Sequence, residues 1–305
     1  MTLPAPLLLQ AAEAAAGGQQ FPAGALYIVA TPIGNLADLS LRGIHVLHKA
    51  DRVACEDTRH GGALLRHLGL HKPLLALHGH NEHERAAQIC AHLAAGERVA
   101  YVSDAGTPGI SDPGAVLVAA ARKAGHATVP IPGASSVLAA LSVAGDVSGE
   151  GFRFVGFLPA KGADRRQLLA RCVADPQTQV LFEAPHRITS LAAELAGQAE
   201  AVGVGARPIT VCRELTKQFE TVHATTLSEL PAWLDGDAHR TRGEFVLVLH
   251  ALPRAARDGA LPEAAEAVLR ELLAELPVKQ AVALAARISG APRNLLYEAA
   301  LRLRP

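Results

Sequence analysis

Residues Val99–Gly114 read VAYVSDAGTPGISDPG. Four apolar residues run straight into a turn that holds three glycines and two prolines. Proline fixes a turn and glycine lets backbone come close to a ligand. The same arrangement occurs twice more. Leu26–Ala30 (LYIVA) feeds Thr31–Asn35 (TPIGN), and Thr128–Ile131 (TVPI) feeds Pro132–Ser136 (PGASS). Three such turns at strand ends predict three loops meeting at one edge of a sheet. In open α/β sheets, ligands bind outside the carboxyl ends of the strands.

Outward from these turns, strands and helices alternate. Helices are predicted near Ser40–Ala50, with Ser40 as N-cap, near Thr58–Leu68, and from a capping box at Asn81 and Glu84 to about Ala95. Two more are predicted over Pro113–Ala124 and Ser135–Ala144. This order implies a mostly parallel sheet with helices on its faces, so the fold class is α/β. The Gly/Asp/Ser-rich stretch Gly145–Gly151 separates a second α/β region. Its strands are expected over 152–158, 179–183, 208–214, 220–225 and 244–250, in a mixed sheet. The expected organisation is a frayed tail over 1–24, α/β domains over 25–147 and 148–252, and a helical segment over 253–305. That last segment carries Lys279, Arg287, Arg293, Arg302 and Arg304. Its Ser289–Pro292 break has helix-turn-helix spacing, which spacing alone does not separate from an ordinary αα-hairpin with solvated basic faces.

Composition narrows the classes. Lys and Arg number 29, as do Asp and Glu, so no global electrostatic grip on nucleic acid is indicated. Four scattered cysteines imply no disulfide framework and suit a cytoplasmic protein. No signal peptide or membrane span is expected. His78, His80 and His83 form H-x-H-x-x-H, but no cysteine or carboxylate set completes a zinc site, and no metal is expected. The first loop lacks G-x-G-x-x-G, and neither a phosphate-binding P-loop nor a G-x-S-x-G nucleophile elbow occurs.

The loops offer Asp104 as a carboxylate for a ribose hydroxyl or a cation. Gly106, Gly109 and Ile110 follow it, and Ser135 and Ser136 lie at a helix start. Charged residues also stand at strand ends in the second half: Glu183 with Arg187, Glu214 with Lys217, and Glu244. Asp57 and Arg59 lie between a strand and a helix. Any one of these, Arg59 excepted, is explained equally well by a turn, a cap or a surface terminus.

In order, LYIVATPIGNLADLS, ACEDTRH, HNE, YVSDAGTPGISDPG, PGASSVLAAL, FVGFLP, FEAPHRI, CRELTKQFE and GEFVLVL span about residues 25 to 250. This series resembles the small-subunit ribosomal RNA methyltransferase I family. Those are the 16S rRNA cytidine 2′-O-methyltransferases of the tetrapyrrole methylase superfamily. The tail LPVKQAVALAARISGAPRNLLYEAAL resembles the family's C-terminal helices. The resemblance implies two α/β domains, S-adenosyl-L-methionine in the cleft between them, a homodimer, and 16S rRNA of the small ribosomal subunit as substrate. It puts Pro32, Ile33, Gly34, Asp104, Gly106, Gly109, Ile110, Ser135, Ser136 and Glu244 at the cofactor. Glu183, Glu214, Lys217, Asp57 and Arg59 are the catalytic candidates, with Lys217 either stabilising an oxyanion or acting as a base of depressed pKa. Arg165, Arg166, Arg187 and the basic tail are the RNA candidates. The superfamily's G-x-G-x-G-D is TPIGN here, which counts against the alternatives of a tetrapyrrole substrate. A non-catalytic RNA-binding protein would leave the three glycine turns unexplained.

Overall fold

The computed structural model describes residues 4–79, 81–252, 261, 263–291 and 293–303. Met1–Leu3, His80 of the histidine triplet, and Arg304 of the basic tail lie outside the described residues. By its contacts the chain divides into two compact units, residues 1–252 and 253–305.

The first unit contains two five-stranded sheets. Strands β1 (Leu26–Val29), β2 (Arg52–Cys55), β3 (Leu74–Ala76), β4 (Val99–Val102) and β5 (Thr128–Ile131) pair in the order β3-β2-β4-β1-β5, all parallel. Because β1 sits between β4 and β5, the three glycine turns leave neighbouring strands at the same edge. Helices α1 (Ala5–Ala16), α2 (Leu41–Lys49) and α3 (Thr58–His67) cover one face, on Tyr27, Val29, Val53 and Ile131. Helices α4 (Glu82–Ala94) and α5 (Ala115–Lys123) cover the other, on Leu26, Ala54, Val99 and Tyr101. Successive strand residues thus serve opposite cores, as the pleat requires.

The second sheet is mixed, in the order β6-β7-β10-β8-β9. Its strands are β6 (Phe152–Phe157), β7 (Thr178–Glu183), β8 (Pro208–Arg213), β9 (Thr221–Thr226) and β10 (Phe245–Leu249). The β6/β7 pair is parallel and the rest antiparallel. Helices α7 (Ala163–Ala174), α8 (Ile188–Ala201) and α9 (Leu230–Asp235) bury one face. On the other face α6 (Ser136–Ala144), which follows the third glycine turn, packs with Ile33 against Val180, Val246 and Val248. This core ties the first and third glycine turns of the first sheet to the second.

Two local expectations are corrected. Residues 5–16, expected within a frayed tail, form α1. Its alanines favour helix, Ala12 and Ala16 are buried, and Leu8 and Leu9 pack on the first core. The capping box at Asn81 does not form. The Asn81 side chain turns back to accept from His78 N (2.9 Å) and donate to Ala76 O (3.2 Å), leaving α4 without a side-chain cap. Ser40 and Ser135 do cap α2 and α6.

The second unit holds α10 (Glu263–Glu275), α11 (Val278–Ser289) and α12 (Arg293–Leu303). Leu269, Ala281, Ala285, Leu296, Ala299 and Ala300 form its core. Gly290, at φ +69°, ends α11 in the left-handed conformation that glycine takes at least cost.

Candidate active site

The three glycine turns meet. Thr31 and Gly106 exchange both backbone hydrogen bonds (2.9 and 3.0 Å). Thr31 Oγ1 donates to Ser103 O (3.2 Å), and Thr107 Oγ1 to Ala134 O (3.1 Å). The approach is close enough that a Cβ on Gly133 would stand 3.0 Å from Ala30 Cβ. Pro32, Ile33 and Gly34 lie on the first turn, Asp104, Gly106, Gly109 and Ile110 on the second, and Ser135 and Ser136 on the third. Gly109 has φ +79° with open space around it, and Ile110 is 53 % exposed.

Carboxylates crowd the edge where β2 and β4 end. Asp104 Oδ1 accepts from Asp57 N (3.2 Å), and its Oδ2 lies 2.9 Å from His60 Nδ1. That hydrogen bond and the Asp104 charge raise the His60 pKa. Burial, then Asp104, Asp112 and Asp57, pushes the Glu56 carboxyl up. Burial also raises Asp112, against a hydrogen bond from Ser103. Asp57 differs: side-chain hydrogen bonds from Arg59 hold it at about 2. It caps α3 by accepting from Arg59 N (2.8 Å). The Asp57–Arg59 pair is therefore satisfied within itself, although Asp57 N reaches Asp104.

A second cluster stands on the loop after β8. Glu214 and Thr216 are non-glycine residues with positive φ (+53° and +67°), a conformation that costs of order 1–3 kcal/mol each where it is strained. The bend brings Lys217 Nζ to 2.8 Å from Glu214 Oε1 and 3.0 Å from Glu244 Oε2. Glu244 N also donates to Glu214 Oε1 (2.9 Å). Two glycines permit this packing. A Cβ on Gly243 would collide with Glu214 Cγ, and one on Gly34 would lie 2.5 Å from Lys217 Cγ. Burial opposes the Lys217 charge, but hydrogen bonds to Glu214 and Glu244 outweigh it and the pKa is raised. Burial likewise opposes the Glu214 charge, and the bonds from Lys217 and Glu244 N bring its pKa below the ordinary value. Lys217 is thus a held cation whose partners raise its pKa instead of depressing it. Beside it, Thr216 Oγ1 is buried without a hydrogen-bond partner among the described residues. A cavity of about 800 Å³ opens there, lined by Gly34–Ala37, Thr216–Gln218, Leu39, Leu41, Ile44, His67 and Leu68 with Leu8.

Glu183 is not brought to this cluster. Along β7, Val180 and Phe182 face α6 and Ile33, while Leu181 faces α8. Alternation puts Glu183 on the α7/α8 face with Leu181. Its side chain is fully buried, with Oε1 3.0 Å from Arg187 Nε and Oε2 3.7 Å from Arg165 Nη1. Arg165 also meets Glu194 (2.9 Å), and Arg187 donates to Leu158 O (2.8 Å). Glu183 thus stands at the centre of a buried ion network, apart from the Lys217 cluster, and Arg165 and Arg187 make their ion pairs within that network.

The tetrapyrrole (corrin/porphyrin) methylase model matches residues 25–231, and a model described as the RsmI C-terminal HTH domain matches residues 259–304. Ribosomal RNA small subunit methyltransferase I of Pseudomonas aeruginosa is 46 % identical over 280 residues, covering 92 % of this chain and 98 % of that protein. The proteins of that name from Escherichia coli O157:H7 and Neisseria meningitidis serogroup B are 45 % and 47 % identical, over 91 % of this chain and 95 % and 93 % of theirs. The chain belongs to the ribosomal RNA small subunit methyltransferase I family. Solved methyltransferases share the fold. Cobalt precorrin-4 methyltransferase CbiF superposes with a TM-score of 0.52 at 20 % identity, over 75 % of this chain and 98 % of that one. The methyltransferase CobJ gives 0.55 at 19 %, over 75 % and 94 %.

Two residues of this site, His60 and Asp112, are not singled out by sequence reasoning: His60 lies inside ACEDTRH beside Asp57 and Arg59, and Asp112 inside the second glycine turn beside Ile110. The three-loop edge fits S-adenosylmethionine: exposed glycine backbone and Ile110 suit an adenosyl group, and the surplus of carboxylates suits its positive charges.

Proposed function

We propose that the chain transfers a methyl group from S-adenosylmethionine to the 2′-hydroxyl of a cytidine in 16S rRNA. The observation that carries this reading is Lys217, a cation held by Glu214 and Glu244 against Gly34 of the first glycine turn. Pro32, Ile33, Gly106, Gly109, Ile110, Ser135 and Ser136 would hold the cofactor, with Asp104 as its charged anchor. The cofactor supplies an electrophilic methyl group on a cationic sulfur. The chain's own part is positioning and charge. A ribose hydroxyl is a weak nucleophile at neutral pH: as the O–CH3 bond forms and the S–CH3 bond breaks, its proton passes to solvent water, and a fixed ammonium stabilises the negative charge that the departing proton leaves on oxygen. Lys217 donates to that oxygen, and Glu214 and Glu244 keep the ammonium in place. Glu244 thereby acts through Lys217 instead of as a cofactor ligand. The cavity along Leu36, Leu39 and Leu41 gives the nucleotide its approach. The free cysteines, and the lack among the described residues of a helix able to cross a membrane, are compatible with work in the cytoplasm on small subunits. The family resemblance supports a homodimer.

The test separates binding from chemistry. Calorimetry with S-adenosylmethionine and single-turnover methylation of small subunits are run on Asp104→Asn and Lys217→Ala. Asp104→Asn weakens cofactor binding roughly tenfold, the scale of a lost charged hydrogen bond. Lys217→Ala leaves cofactor affinity near wild type and slows transfer by roughly 10²–10³-fold. Wild-type transfer by Lys217→Ala would overturn the assignment.

A further inference from the structure

We infer that the C-terminal unit carries a binding groove for single-stranded RNA, built from Tyr297 as a stacking platform between Lys279 and Arg293. The groove, about 480 Å³, lies between α11 and α12 and is lined by Lys279, Val282 and Ala283 on one side and Arg293, Asn294, Tyr297 and Glu298 on the other. Three observations support it. Tyr27 and Tyr101 are buried in the core of the first sheet, whereas Tyr297, the third tyrosine of the chain, is 49 % exposed. Arg293, Tyr297 and Leu301 recur every four residues and form one exposed stripe along α12, since such spacing keeps side chains on one helix face. Among the described residues, neither Lys279 nor Arg293 has an ion-pair partner, in contrast to Arg165 and Arg187. Charge is also segregated within the unit. Glu266, Glu271 and Glu275 lie on α10 against Arg270, while α11 and α12 carry Lys279, Arg287, Arg293 and Arg302 against Glu298.

An exposed aromatic flanked by free cations matches how unpaired nucleotides are held: a base stacks on the ring and phosphates meet the cations. Asn294, beside the ring, supplies a donor and an acceptor for a base edge. A helix-turn-helix suits the major groove of B-form DNA, but the A-form major groove is too deep and narrow for side chains to read. With RNA as the partner, single strands and loops are what this face fits. The inference rests on the RNA-methylating function for its choice of RNA.

The test uses the full chain. Fluorescence anisotropy measures binding of a dye-labelled single-stranded RNA of about ten nucleotides, within the site size of a stacking groove, with duplex RNA and duplex DNA of the same sequence alongside. Tyr297→Ala is expected to weaken single-strand binding by roughly tenfold or more, and Tyr297→Phe to retain it. Lys279→Gln and Arg293→Gln each reduce the salt dependence by about 0.7 in log–log slope, as for one lost phosphate contact. Circular dichroism melts report whether each variant keeps the fold, which exposed positions allow. Unchanged single-strand affinity in Tyr297→Ala, or a preference for either duplex that the substitution leaves intact, overturns the inference. Methylation of small subunits by the wild type is read in parallel. Transfer with no Tyr297 effect rejects the groove alone. A Tyr297 effect without transfer keeps the groove and rejects the enzymatic reading.

Discussion

Glu183 and Glu214 stand at the ends of strands in the same sheet, each with a basic residue three or four positions later, and they serve different ends. Glu183 points into the α7/α8 face, where Arg165 and Arg187 close around it. Glu214 turns with a left-handed backbone towards the first glycine loop, where it holds a partly exposed lysine. One carboxylate is buried to join β7 to its helices. The other is placed, at a cost in backbone strain, so that a cation meets the first glycine turn. The difference lies in the sheet face and in the glycines opposite, not in the local motif.

The largest effect that would test this contrast is on stability. Glu183→Ala leaves Arg187 and Arg165 short of a buried partner and is expected to destabilise the protein by about 3–5 kcal/mol in urea unfolding. Methyl transfer per folded molecule should stay near wild type. A normal melt with lost transfer would put Glu183 back into the chemistry and erase the contrast.

A smaller effect, of opposite character, is expected at Gly34. An alanine there must displace Lys217, whose Cγ lies 2.5 Å from the new Cβ position. Misplacement on the ångström scale costs roughly ten- to a hundredfold in turnover. The urea midpoint should move less than for Glu183→Ala, because Lys217 is partly exposed. Turnover unaffected by Gly34→Ala would mean that the position of Lys217 is not critical.

The smallest effect concerns pH. His60 has a folded pKa raised by Asp104, so the stability it adds is fully present below its ordinary value near 6.5 and is lost as pH rises through the raised one. The Lys217 pair behaves otherwise. The raised Lys217 loses its contribution only as pH climbs through its folded pKa, above the ordinary 10.5. The lowered Glu214 loses its own only as pH falls through its folded pKa, below the ordinary 4.5. Because burial lowers the pKa of His45, His223 and His250 and makes them add stability as pH rises, His60 is read by difference: between about pH 6 and 9 the wild type should lose slightly more stability than His60→Asn, and Lys217→Ala should leave that difference unchanged. Parallel melting curves for wild type and His60→Asn would mean that the Asp104 contact adds no stability.

Much of this architecture is written in local patterns. The three glycine turns, the parallel first sheet and the mixed second sheet follow from apolar runs and turn residues. Other features depend on pairing and packing that no local pattern carries. Helix α1 begins at Pro4 without a side-chain cap, and its alanine-rich sequence has no polar start signal. Asn81 and Glu84 have capping-box spacing, but a tertiary turn takes the Asn81 side chain. Glu183 could be placed on a strand, yet which face meets the loops is settled by β10 lying between β7 and β8. Arg165 and Arg187 look like any exposed basic residue until the Pro159 and Leu158 carbonyls and two glutamates surround them.

The decisive experiment on the Lys217 cluster and the three-loop edge incubates the protein with methyl-labelled S-adenosylmethionine and small ribosomal subunits, then digests the 16S rRNA with alkali. If the two together methylate a ribose, label appears in an alkali-resistant dinucleotide that begins with a 2′-O-methylcytidine, and is lost with Lys217→Ala. Label on a base, or no label in the RNA, would contradict it.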